Sequence, residues 1–242
     1  VKLKLAIRNP RVRSSLGATL AVLCGLLLWA SALGEKWESA SYDYLFRFGE
    51  RDVTNKIVLV QMQSHGVADR DLHTQLVNRL ADDKCPLVVF DRFFRQWSDS
   101  PTDKALVSAL QRLDKVALMA WQEQDDHPTL PSMHPVLPAP AFLAAAKTNW
   151  GVAWFDPDLD GIVRRHWPFP ERPSYPSLSW TAANLWGASL SDQPQWLRYY
   201  GSDGPGIRLE YSHASNQVAG YFSNKIVFIG SKPATTVPDR EE

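Results

Sequence analysis

Between Ser14 and Gly34 the chain carries no charged residue, and SSLGATLAVLCGLLLWASAL (residues 14–33) has no polar face. A helix of 20 residues spans roughly 30 Å, the thickness of a bilayer's hydrocarbon core. The pattern therefore predicts a transmembrane helix over residues 14–34. Apolarity on every side separates it from the amphipathic helices of soluble domains. Lys2, Lys4, Arg8, Arg11 and Arg13 precede it with no acid among them, and Glu35 and Glu38 follow. That asymmetry orients the N-terminus towards the cytoplasm. Ala30-Ser31-Ala32 has the form of a signal-peptidase site; the segment is read here as an uncleaved anchor.

Beyond the anchor, EKWESASYDYLFRFGER sets Trp37, Tyr44, Leu45 and Phe48 at helical spacing, and Gly49 ends the run. The periodicity then changes. IVLVQM (57–62) is a short apolar run, as expected of a strand covered on both faces. Asp69 is placed to cap a helix with Leu72, Leu76 and Leu80 every fourth residue. LVVF (87–90) is a second strand; Ser100 and Pro101 open a helix carrying Leu106, Leu110 and Leu113; VALMA (116–120) is a third strand. Pro128, Pro131, Pro135, Pro138 and Pro140 mark an extended loop over 125–140 leading to a short helix at AFLAAA. NWGVAWF (149–155) and IVRRHWPF (162–169) read as two strands of a hairpin around DPDLDG. A helix starts near Ser177 with Leu178, Thr181, Leu185 and Trp186, QWLRYYG (195–201) reads as a strand, and KIVFIG (225–230) as a last buried one.

Strands alternating with helices over short connections indicate a parallel sheet with crossovers. The expected fold is α/β: a mostly parallel central sheet with helices on both faces plus a hairpin, on one N-terminal transmembrane helix. The expected organisation is a cytoplasmic basic segment (1–13), the transmembrane helix (14–34), an extracytoplasmic domain (35–237) and a tail (238–242).

Composition adds limits. Of 242 residues, 45% are apolar and 21% charged, which is globular, and Lys+Arg balances Asp+Glu at 26 each. Without the five N-terminal bases, 21 basic side chains face 26 acidic ones, so nucleic acid is not an expected partner. Cys24 and Cys85 lie too far apart in the pattern to frame a disulfide core. No phosphate loop, nucleophile elbow or zinc-protease motif occurs, and the six histidines do not fall at ligand spacing. No catalytic residue, cofactor or metal is therefore expected.

The one stretch that imitates a metal site is DPDLDGIVRR, with Asp156, Asp158, Asp160 and Gly161 spaced like the start of a calcium loop. An EF-hand needs a bidentate Glu at position 12, where this chain has Trp167, and Arg164 and Arg165 bring cations to the acids. The stretch reads as a tight turn.

The order YDYLFRF, KIVLVQM, VVFDRFF, DPDLDGIVRR, YPSLSWTAA and NKIVFIGSK resembles the type-two CHASE family (cyclase/histidine-kinase-associated sensory extracellular domains) over roughly residues 35–235. The resemblance implies an extracytoplasmic sensory domain, non-catalytic in itself. Members commonly continue into further membrane helices and a cytoplasmic output domain, so any output enzyme would lie outside this chain. Members usually place acids after the first strand, where this chain has Gln63 and Ser64; they end the last strand with an acid-containing glycine loop, replaced here by SKPATTVPD; Asp91 is kept. Strand C-terminal ends are where open α/β sheets bind ligands. Asp91, Gln63 and Ser64 are thus the candidate ligand-binding positions, and the resemblance implies a pocket that is altered or lost.

Two functions follow. The first is the membrane-anchored sensory domain of a bacterial signalling protein. The alternative is a membrane-anchored interaction or assembly subunit that uses the same domain to bind partner proteins. Gly17, Ala21 and Gly25 form a small-xxx-small stripe suited to helix packing, which points to a homo-oligomer or a membrane-protein partner within the lipid bilayer. The expected location is the bacterial inner membrane, single-pass with the N-terminus inside. The sequence leaves open whether a small-molecule ligand binds.

Overall fold

A computed structural model describes residues 10–29, 31–45, 56–62, 70–124, 133–169, 175–199 and 206–231. The chain divides into two compact units, residues 1–51 with 199–202, and residues 52–198 with 203–242. The first unit holds α1 (Pro10–Trp29) and α2 (Ala32–Leu45). No side chain of α1 is buried, and by length and composition this helix is able to cross a membrane. The apolar run does not stay one helix to Gly34. Ser31 separates the two: its hydroxyl donates to the Leu28 carbonyl at 2.8 Å and accepts the Gly34 N–H at 3.3 Å. One serine thus closes α1 and caps α2.

The second unit is built on a seven-stranded sheet. In chain order its elements are β1 (Ile57–Met62), α3 (Arg70–Asp82), β2 (Leu87–Asp91), α4 (Pro101–Gln111), β3 (Val116–Gln124), β4 (Met133–Val136), α5 (Pro140–Ala145) and β5 (Trp150–Val152). There follow β6 (Arg165–His166), α6 (Leu178–Trp186), β7 (Gln195–Trp196), β8 (Ile207–Glu210), α7 (Tyr211–Ser215) and β9 (Ile226–Ser231). The strand order is β4-β3-β2-β9-β1-β8, and β5 also pairs with β3. Every pairing in this sheet is parallel except β3 with β4.

The last strand in sequence lies in the middle. Val227 is in register with Val58 on one side and Val88 on the other, and Ile229 with Val60 and Phe90. These six side chains point to one face and are buried against Leu76, Val77 and Leu80 of α3, Leu106 and Leu110 of α4, Phe142 of α5 and Ala214 of α7. A smaller core on the opposite face joins Leu87, Val89, Ala117 and Met119 to Leu178 and Ala182 of α6. Helices therefore cover both faces, but unequally.

That inequality corrects one expectation. In β1 only Val58, Val60 and Met62 are buried, while Ile57, Leu59 and Gln61 are half-buried. β9 shows the same alternation, whereas β2 is closed on both faces from Leu87 to Phe90. Among the described helices α6 alone contributes to the second core, and it packs over β2, β3 and β5. Gly151 permits that approach: a Cβ there would stand 2.5 Å from the Leu178 Cα.

The hairpin is a second correction. The turn forms, with Gly161 at φ 80° donating to the Asp158 carbonyl at 2.8 Å and Asp158 donating to that of Ile162 at 2.9 Å. Its flanks do not pair with each other. β5 joins the edge of the main sheet, parallel to β3, and β6 pairs antiparallel with β7. The edge of β3 takes the first flank over three residue pairs, from Leu118 with Trp150 to Ala120 with Val152. The proline-marked loop also conceals β4, which pairs with the far half of β3, and β8 had no forerunner in the sequence pattern. Both helix starts at serine hold. Ser100 accepts the Asp103 N–H ahead of Pro101, and Ser177 accepts the Trp180 N–H, each at 3.1 Å.

Candidate functional site

The parallel strands deliver polar side chains to their carboxyl ends. At the end of β2 the chain reads Phe90-Asp91-Arg92, and alternation sends Phe90 and Arg92 to the larger-core face and Asp91 to the other. Asp91 is thereby set beside Gly230 of β9, where desolvation pushes its pKa up. Of the positions expected to bind ligand, Gln63 and Ser64 lie outside the described residues. The structure therefore describes Asp91 but not its grouping with them.

On the larger-core face the same strand end meets the first turn of α3 and the segment 92–100 leading to α4. Asp103 organises this corner. One carboxylate oxygen accepts the Ser98 N–H at 2.8 Å and the Ser98 hydroxyl at 2.7 Å, and the other pairs with Arg70 Nε at 3.2 Å. Those hydrogen bonds and the Arg70 charge outweigh the cost of its burial, so its pKa is held below the usual carboxylate value. Arg70 also donates through Nη2 to the Gln96 carbonyl at 2.9 Å. Its guanidinium lies 4.6 Å from the Phe142 ring centre and 5.4 Å from that of Phe94. Ion pair, carbonyl and ring faces together fix the plane of Arg70.

Beneath Arg70 lies His73, 1% exposed and ringed edge-on by Phe90, Phe94 and Tyr211. Its Nδ1 is hydrogen-bonded to the Tyr211 hydroxyl, which ties α3 to α7. Burial, then the charges of Arg92 and Arg70, push its pKa down to about 3. The imidazole is therefore neutral at neutral pH. Arg92, which reaches Met62 Sδ at 3.5 Å, and Arg95 complete a cavity of about 160 Å³ with Arg70, His73, Phe94 and Gln96. A second cavity of about 170 Å³, holding Asp103, Ser98 and Ser100, lies on the other side of Arg70.

The sequence pattern did not single out this cluster. Its trace was DRFFRQW (91–97), where two arginines three residues apart leave a buried strand beside three aromatic residues. Arg70 and His73, one helical turn apart on α3, join it only through the crossover.

The calcium-like turn resolves differently. Arg164, 2% exposed, folds between the acids: Nη1 donates to Asp158 and Asp160 at 2.9 Å each, and Nη2 to the second Asp160 oxygen at 2.7 Å. The forked bond to Arg164 holds Asp160 down at about 2. The guanidinium occupies the space a cation would need between these two carboxylates. Gly17, Ala21 and Gly25 fall along one side of α1, and a Cβ on either glycine would meet nothing within 4 Å.

The sheet is a mostly parallel, open α/β sheet with polar groups gathered at its strand ends, where sheets of this kind take their ligands. Ahead of it stands a helix apolar enough to span a membrane. The model of the CHASE2 domain matches residues 18–240, nearly the whole chain, and the chain belongs to this family of extracellular sensory domains. No curated protein and no solved structure matches it.

Proposed function

We propose that this chain is the membrane-anchored sensory domain of a bacterial signalling protein, itself non-catalytic. It sits in the inner membrane as a single-pass protein with its N-terminus in the cytoplasm and its α/β unit outside. The observation that supports this most is the extent of the family match: it begins at residue 18, inside the apolar helix, and runs through β9. The five N-terminal bases set the orientation. Reporter fusions behind residue 242 test it. Alkaline phosphatase should be active and green fluorescent protein dark; the opposite pattern would refute the orientation.

The stripe of Gly17, Ala21 and Gly25 makes α1 a helix-packing surface, so a homo-oligomer within the bilayer belongs to the proposal. Gly17→Ile with Gly25→Ile should lower the oligomeric state in detergent and in membranes. An unchanged state would remove this element.

A further inference from the structure

The cavity beneath Arg70 brings three arginines and a buried histidine to one corner of the fold. Arg70, Arg92 and Arg95 belong to its lining, and among the described residues no carboxylate lines it. Asp103 lines the adjoining cavity and engages Arg70 Nε. Burial lowers the pKa of Arg70, Asp103 opposes that shift, and the like charge of Arg92 adds to it. Two polar atoms at this corner, Arg70 Nη1 and His73 Nε2, are buried with no hydrogen-bond partner. His73 Nδ1 is taken by Tyr211. With Tyr211 as the donor of that bond, Nε2 carries the ring proton and is a second donor.

Converging donors, clustered positive charge and a neutral buried imidazole are the complement of a small oxyanion. Forked guanidinium groups match two oxygens at once, and Nε2–H supplies a neutral donor beneath them. The size agrees: at about 160 Å³ the cavity is smaller than the several hundred Å³ of sites for drug-sized molecules. Its place, outside the carboxyl end of β2, is where open α/β sheets take ligands.

We infer that Arg70, Arg92, Arg95 and His73 form a binding site for a small oxyanion of the phosphate, sulfate or carboxylate class, taken as the free ion or as the head of a small solute. The site lies on the opposite sheet face from Asp91. It deepens the sensory reading and rests on that reading only for what the binding signals.

The test uses the full chain in detergent, titrated with sodium phosphate, sodium sulfate, sodium succinate and glycerol 3-phosphate against sodium chloride at matched ionic strength. Saturable binding by calorimetry is expected for at least one of the four, at least tenfold weaker in Arg92→Gln/Arg95→Gln. Preference for glycerol 3-phosphate over phosphate assigns the head of a solute; the reverse assigns the free ion. Histidine-ring NMR of the wild type supplies a readout that does not need the variant to fold: the His73 signals should move with the bound ligand. No binding above the chloride control overturns the site, as does binding equal in wild type and variant or His73 signals that stay fixed. A reversed reporter pattern in the topology experiment would instead overturn the sensory reading and leave the binding result standing.

Discussion

Mild acid should loosen the α/β unit by an amount that His73 sets. In the unfolded chain its imidazole titrates near the ordinary value of 6.5, and in the folded protein only near 3. A group whose folded pKa is depressed contributes stability that is whole above the unfolded value. That stability is lost as pH falls towards the folded one. At about pH 5.5, one unit below the unfolded value, the loss is about 1.4 kcal/mol, rising to roughly 4 kcal/mol at about pH 3. For a domain of this size about 1 kcal/mol moves the melting temperature by roughly 2–4 °C, so a fall from about pH 7.5 to 5.5 should cost about 3–6 °C. His166, which burial also depresses, adds to the same trend. The control is therefore His73→Asn, whose amide faces Tyr211 without titrating and leaves His166 in place. Thermal melts of both proteins at the two pH values give the difference. The variant should lose about 3–6 °C less than the wild type, and equal slopes would refute the reasoning. Added phosphate bears on the same experiment: an anion beside the ring favours imidazolium, raises the folded pKa and should flatten the wild-type slope.

Asp83 accepts the Gly220 N–H at 2.8 Å and the Phe222 N–H at 3.1 Å, fixing the approach to β9. Asp83→Asn leaves one of these donors facing an amide NH₂. It should destabilise the unit by about 1–3 kcal/mol, with faster amide exchange at both positions. Arg164→Gln should let the Asp160 carboxyl rise from about 2 towards the usual carboxylate range, read by carbon NMR titration. In the wild type, saturating calcium should leave the melting curve unchanged because the guanidinium fills the turn. Cys85 is buried and burial pushes its thiol up to about 11. In a Cys24→Ser background it should resist a thiol-disulfide reagent in the native protein and react fully on denaturation, since the thiolate is the reactive form.

Much of the fold was legible because its causes are local. Ser100 with Pro101 and Ser177 announce helix starts whose caps form within three residues. The apolar runs at 57–62, 87–90, 116–120 and 225–230 become four adjoining strands of the sheet. The DPDLDG turn was legible for the same reason, and Arg164 was already visible as an obstacle to calcium. The elements that escaped depend on partners far along the chain. β4 is a short strand containing Pro135 that exists through its pairing with β3, and β8 is likewise held by β1. Partner choice also escaped: both flanks of the turn alternate as strands should, yet each finds a different neighbour.

The sequence by itself determined the apolar helix, the strand–helix rhythm and the family, because charge exclusion, periodicity and motif order are written along the chain. Tertiary structure decided which residues share a site. Strand alternation sends Asp91 to one face of the sheet, and the crossover returns Arg70 and His73 beside Arg92 on the other. Three arginines and a neutral histidine from α3, the end of β2 and the segment beyond it meet in one cavity, and only folding brings their charges within range of one another.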